Sequence, residues 1–460
     1  MKLQLLDAIG EITEARTAAG LWQQGQGCSL TGLSGAAKTV FLAALDRLLP
    51  EQGSLVFLLS GRDDIREYRR TLNCFYSDLL MQELYPVDLP LVQADSRNRE
   101  IQAGRVAAMR ILQGEERGIV FVTAEALLQK LPIPQKVLGS GVVVTLGQQL
   151  EQQELLERLI ELGYERTTQV DAIGQFCLRG DILDIFPINS QYPARIEWFD
   201  DTIDAMRSFD LDNQRSIESL SAVKIVPLQI ESGEDFSASV FDYLAASTRL
   251  VVDEPSRLFE LLQKLYTESS GYADELWSPA ELEGFCAQKR AWVVAALGHS
   301  RLQLFKDINV PVRSVAPYNR NLELLTGDLQ GWLADGQVPV VMMSSDIKAR
   351  GLADSLQSRN LNAAFVKEGA LLRPGRITVI SGELTAGFRF WNENWLLLTE
   401  NDIFGMQKKR RLHTKNSGAQ LQYFSEIKAG DYVVHSVHGI GRYIGVENVL
   451  VDGVHRDYLL

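Results

Sequence analysis

Short, wholly apolar runs followed at once by helix-period segments recur along the first 140 residues. The runs "SLVFLLS" (54–60) and "GIVFVT" (118–123) are too short for helices and do not alternate, as expected of strands buried on both faces of a parallel sheet. Each leads into a helical segment, and the second of these, "AEALLQKLP", stops at Pro132 and Pro134. The stretch "RLVVDEPSRLFELLQKLY" (249–266) repeats strand, turn and amphipathic helix. A further α/β unit begins near 325, with "VPVVMMSSDIKARGLADSLQSRNLNAAFV" and then the strands of "RITVISGELTAGFRFWNENWLLLTE". Between about 141 and 228 the rhythm changes to short strands and turns around "CLRGDILDIFP" and "ARIEWFDDTIDAMRSFD", which predicts an inserted α+β module. The run "MQKKRRLHTKNSGAQ", with five cations from Lys408 to Lys415 and no apolar period, reads as a linker. The last 31 residues alternate around Gly439, Gly441 and an Asp452-Gly453 turn, as a small antiparallel sheet or barrel does.

These shifts predict a first α/β part over 1–140, the insert over 141–228, and the second α/β part over 229–318. A small α/β domain follows over 325–405, then a basic linker over 406–425 and a C-terminal piece over 426–460. At 460 residues and 46% hydrophobic content the chain exceeds one core. The final strand-like run stops too soon for a closed barrel, so the chain reads as part of a longer protein. No apolar run reaches a membrane-spanning length, and the expectation is a cytoplasmic protein. Cys28, Cys74, Cys177 and Cys286 are far apart and read as buried thiols, with no metal or disulfide pattern. The net charge of −13 argues against broad nucleic-acid binding and favours protein partners. His435, His438 and Asp431 match no standard ligand set, so no metal site is expected.

Two constellations carry candidate chemistry. In "TGLSGAAKT" (31–39), Gly32, Gly35, Lys38 and Thr39 approach a phosphate loop, but Ala37 stands where the second glycine of G-x-x-x-x-G-K-[ST] belongs. A β-carbon there strains or reshapes the turn that aims N–H groups at phosphates. Asp253 and Glu254, after the strand "LVVD", are the matching candidates for a Mg²⁺ ligand and a base, with Pro255 directly behind them. No arginine finger, second ATPase lobe or nucleophile, base and orienter set is evident, so no catalytic residue is assigned. In the strand "ARIEWF", parity turns Ile196 and Trp198 to one side and Arg195, Glu197 and Phe199 to the other, with Asp200-Asp201 as a hairpin turn. Arg179 can join the same patch, and an aromatic ring beside arginines is a composition of binding hot spots. The bland alternative packs Phe199 under a helix and pairs the arginines with Asp181, Asp200 or Asp201.

The run "RGDILDIFPINSQYPARIEWFDDTIDAMRSFDLDNQRS" (179–216) resembles the UvrB-homology module shared by the nucleotide-excision-repair protein UvrB and the transcription-repair coupling factors. The run "GDYVVHSVHGIGRYIGVENVLVDGVHRDYLL" (430–460) is similar to the start of the RNA-polymerase-interacting domain of the coupling factors, which UvrB lacks. The resemblance implies a degenerate RecA/helicase-like (UvrB-like) α/β domain with an inserted α+β module, a second small α/β domain and an incomplete Tudor-like β-barrel. It implies transcription-coupled repair of DNA damage: full-length members engage RNA polymerase stalled at lesions with an ATP- and Mg-dependent DNA translocase and recruit UvrA. This chain would be the recruiting portion, without a cofactor of its own and touching DNA mainly through the missing translocase domains. Carried over by motif, Arg179, Arg195 and Phe199 are the UvrA-contacting positions, and Val449 or Leu450 meets the RNA polymerase β subunit. The alternative is a UvrB-like ATP-dependent helicase subunit in which Lys38, Thr39, Asp253 and Glu254 act, although no aromatic-rich hairpin follows residue 60.

Overall fold

The computed structural model describes residues 2–50, 53–87, 99–135, 141–190, 192–211, 213–228, 236–296, 306–367 and 371–405, with 432–435, 439–442, 444, 446–451 and 454–459 from the C-terminal stretch. It divides into two units, Met1–Met406 and Gln407–Leu460.

The first unit is built around a seven-stranded parallel sheet. Its spatial order is Lys306–Asn309, Cys28–Thr31, Ala291–Ala295, Arg249–Asp253, Leu55–Leu59, Gly118–Thr123 and Leu80–Leu84. The wholly apolar runs become its central strands because both faces are covered. Parity divides them between two cores: Val56, Leu58, Val120, Val122 and Val252 face one, while Leu55, Phe57, Leu59, Phe121 and Val251 face the other. The first core runs on into the inserted module, where Ile196, Trp198, Ile203 and Met206 join it.

The second core is shared with another sheet, ordered Val312–Ser314, Phe388–Phe390, Trp395–Thr399, Val338–Met343, Ile377–Ser381 and Ala363–Phe365. Val340, Met342, Phe388 and Trp395 meet the helices Lys2–Gly10 and Gly35–Leu48 there. The small α/β domain is thus layered onto the first rather than tethered beside it. The crossing between the two sheets is short: Lys306–Asn309 pairs with Cys28–Thr31, whereas Val312–Ser314 pairs with Phe388–Phe390. The chain therefore passes from one sheet to the other across the two residues between those strands, because edge pairing rather than local pattern decides which sheet a short strand joins.

The segment expected as an insert holds its own pairing of Val142–Thr145 with Ala222–Ile225. Its six-stranded sheet is ordered Ser216–Ser219, Thr202–Phe209, Ala194–Phe199, Ile182–Ile185, Gln175–Arg179 and Glu165–Arg166. In the second unit, Tyr432–His435 pairs with Gly439–Arg442 and Val446–Val451 with Val454–Leu459. Two hairpins, and no closed barrel, are what the described residues contain. The basic linker lies outside the described residues. Among the described residues no helix is long and apolar enough to cross a membrane, and no cluster could hold a metal ion. Cys28, Cys177 and Cys286 are buried, and burial pushes the thiols of Cys28 and Cys286 up to about 12.

Candidate functional site

The strand Ala194–Phe199 alternates as its sequence predicts. Ile196 and Trp198 are 0% and 6% exposed, and Trp198 Nε1 donates to the Leu150 carbonyl at 2.8 Å. Phe199 is 76% exposed on the opposite face. The turn is the expected two-residue one, with Asp200 in the left-handed region at φ 57° joining the strand to Thr202–Phe209.

Beneath Phe199 the outer face is an ion-pair platform. Arg195 lies directly opposite Asp184 on the neighbouring strand and donates to both its carboxylate oxygens, at 2.6 and 2.9 Å. That bond, reinforced by the Asp184 and Glu197 charges against the cost of burial, raises the guanidinium pKa. The Arg195 guanidinium also stacks 4.6 Å from the Phe209 ring centroid. Arg207 pairs with Glu197. Asp184, itself buried, takes Arg195 in place of Asp181, Asp200 or Asp201. Arg179 stands apart: exposed, it donates only to the Thr168 carbonyl, at 2.8 Å, and has no carboxylate partner among the described residues. So the three residues lie on one face with two roles. Phe199 and Arg179 are presented outward, while Arg195 is held half-buried in the platform. Asp184 and Phe209 were missed by sequence reasoning, although their parity, once strand register is known, places them under Arg195.

The loop at 31–39 is the second candidate. Gly32 at φ 82° leads the strand Cys28–Thr31 into the helix Gly35–Leu48, and Gly35 sits at φ 54°. A β-carbon at Gly32 would come within 2.9 Å of Asn309 Oδ1 and the Val310 carbonyl, so this glycine is required by a close backbone approach. Ala37 is fully buried in the first turn of the helix and belongs to the second core. Lys38 Nζ donates to Asp253 Oδ1 at 2.7 Å and lies 5.1 Å from the Tyr68 ring centroid, while Tyr68 Oη donates to the same carboxylate oxygen at 3.0 Å. Burial, then the Asp253 charge, raises the Tyr68 pKa well above its ordinary value. Thr39 Oγ1 is buried without a hydrogen-bond partner among the described residues. Glu254, at φ 43°, accepts from the Ala296 N–H at 2.8 Å and precedes Pro255 at the start of the helix Pro255–Glu268. Lys38 and Asp253 are thus brought together, but spent on each other; Glu254 braces a neighbouring strand end; and Thr39 is buried. Tyr68 was not foreseen, since nothing local marks it.

Val449 and Leu450 lie on the strand Val446–Val451, opposite Arg456 and His455 in register.

Two family models match the chain: the UvrB interaction domain over residues 142–230 and the CarD-like/TRCF RID domain over residues 427–460. Over 94% of its length the chain is similar to proteins named transcription-repair-coupling factor. Identity is 27% to that of Bacillus subtilis strain 168, 24% to that of Staphylococcus haemolyticus strain JCSC1435 and 23% to that of Staphylococcus aureus strain MRSA252. The chain spans 43% of the length of each. Among solved structures, the DUF1998 helicase MrfA bound to DNA overlays at a TM-score of 0.25 and 8% identity, covering 82% of this chain and 44% of that one, too distant to establish a shared fold.

Proposed function

We propose that this chain is the recruiting portion of a transcription-repair coupling factor, docking UvrA on the outer face of its inserted sheet and RNA polymerase through its C-terminal strands. The observation that carries the reading is the pair of opposite burials within one six-residue strand: Trp198 in the core and Phe199 in solvent, inside the segment matched by the UvrB interaction domain. An exposed ring on a rigid, charge-neutralised sheet buries apolar area on docking at little ordering cost. Arg179 adds a guanidinium free to meet a partner carboxylate.

The reading treats this half as non-catalytic. A nucleotide would have to take Lys38 from a buried carboxylate. The residues present therefore fit a structural joint better than a triphosphate site. That ATP and Mg act in the remaining part of a longer protein is a proposal drawn from the resemblance.

A pulldown with purified UvrA tests the first contact. Phe199→Ala together with Arg179→Glu is expected to weaken binding by about 30-fold or more, as loss of an aromatic and arginine anchor does. Unchanged thermal melting confirms that the sheet is intact, and full UvrA capture by the folded variant overturns the reading. For polymerase, Leu450→Glu with Val449→Glu should abolish capture of the β subunit while leaving UvrA binding intact.

A further inference from the structure

A second unsatisfied surface lies on the other α/β sheet, far in sequence from the insert. At its edge, Val312–Ser314 runs antiparallel to Phe388–Phe390 with Arg313 directly opposite Arg389. Phe388 and Phe390 are buried in the second core, so strand parity turns both arginines to the opposite face. Like charges directly opposite on a sheet are unfavourable. Yet neither guanidinium has a carboxylate partner among the described residues. Arg313 instead stacks 3.7 Å from the ring centroid of Trp391, which is 53% exposed and continues the edge by donating its backbone N–H to the Pro311 carbonyl at 3.0 Å. An exposed indole and two unneutralised guanidiniums are thus held together at a rigid corner, where folding alone gains little from them.

We propose that this corner binds single-stranded nucleic acid, with a base stacked on the free part of the Trp391 ring and the flanking phosphates on Arg313 and Arg389. The guanidiniums supply the planar donor forks that phosphate oxygens accept. The indole supplies the sequence-tolerant stacking platform that single strands use. An acidic peptide would satisfy the arginines but leave the indole without a role. Glu14 and Glu393 line a small recess with Trp391 that includes neither arginine, which confines the phosphates to the arginine side. The chain's net charge of −13 does not forbid such a site, because at physiological salt a charge is felt over only about 8 Å. It does restrict binding to a short footprint of about two phosphates.

The test is fluorescence anisotropy of the full chain with a short labelled oligothymidylate, alongside its intrinsic tryptophan emission. Binding should quench that emission and show a log–log salt slope of roughly −1.4, as two neutralised phosphates of a single strand give. Trp391→Ala should weaken affinity about tenfold and abolish the quenching, and Trp391→Phe should restore most of the affinity. Arg389→Glu should flatten the salt slope. Because Arg313 and Trp391 are exposed and Arg389 is half-buried on the second strand from the edge, circular dichroism should show the variants folded. The proposal is overturned if the folded variants bind like the parent, if duplex DNA of the same length competes equally, or if polyglutamate competes as well as the oligonucleotide.

Discussion

Replacing Lys38 with methionine keeps the length of the side chain and removes its charge. Among the described residues Asp253 is then left with its carboxylate 4% exposed and one side-chain donor, the Tyr68 hydroxyl at 3.0 Å. Removing one partner of a buried ion pair costs about 3–5 kcal/mol. The surviving tyrosine bond and the 14% exposure of Lys38, which lets water reach the vacated end, place this case lower, at about 2–3 kcal/mol. Asp253→Asn in the same background removes the stranded charge while still accepting from Tyr68, and should recover most of that loss. Urea unfolding followed by tryptophan fluorescence, over the four members of the double-mutant cycle, measures the coupling directly. A coupling of about 1.5 kcal/mol or more is expected between groups in contact. Additivity within about 0.5 kcal/mol would refute the claim that Lys38 is spent on Asp253, and would return the lysine to candidacy as a phosphate ligand. The same cycle guards a nucleotide-binding assay: loss of signal in Lys38→Ala alone reports a damaged joint as readily as an emptied site.

Arg195→Ala strands the buried Asp184 and should destabilise the insert by about 2–3 kcal/mol, whereas Phe199→Ala should shift stability by less than about 0.5 kcal/mol; chemical unfolding separates the two roles. Gly32→Ala should cost at least about 1–2 kcal/mol because both its φ of 82° and its contacts at 2.9 Å exclude a methyl group, while Gly35→Ala, with φ 54° but open space, should cost less; their melting temperatures should rank accordingly. Ser278 caps the helix Pro279–Ala287 by accepting from the Glu281 N–H while its own hydroxyl donates to the Glu281 carboxylate, which lowers that carboxyl below its ordinary 4.5. A depressed acid stabilises the fold above its unfolded-state pKa and loses that contribution as pH falls through the folded-state value. Ser278→Ala should therefore cost about 1 kcal/mol at neutral pH, with the gap to the parent narrowing below 4.5 in a pH series of unfolding curves.

Period and run length determined much of this protein directly. The run "SLVFLLS" could only be a strand buried on both faces, and the two-residue period of "ARIEWF" already set Trp198 inward and Phe199 outward, because successive side chains on a strand must face opposite sides. Ala37 in the phosphate loop was likewise legible as a lost glycine, since the need for a bare backbone is local. Only the tertiary structure decided partners. That Asp184 rather than Asp181 or the turn aspartates takes Arg195 follows from strand register, and that Lys38 meets Asp253 and Tyr68 follows from the order of parallel strands, with lysine and aspartate 215 positions apart. The split between Lys306–Asn309 and Val312–Ser314, like the facing of Arg313 by Arg389, depends on which sheet edge is open to each short strand. Side-chain direction is a property of the local backbone and is written in the period; a contact between distant segments exists only once the sheets are assembled, because free energy is gained by pairing whichever groups the topology has brought within reach.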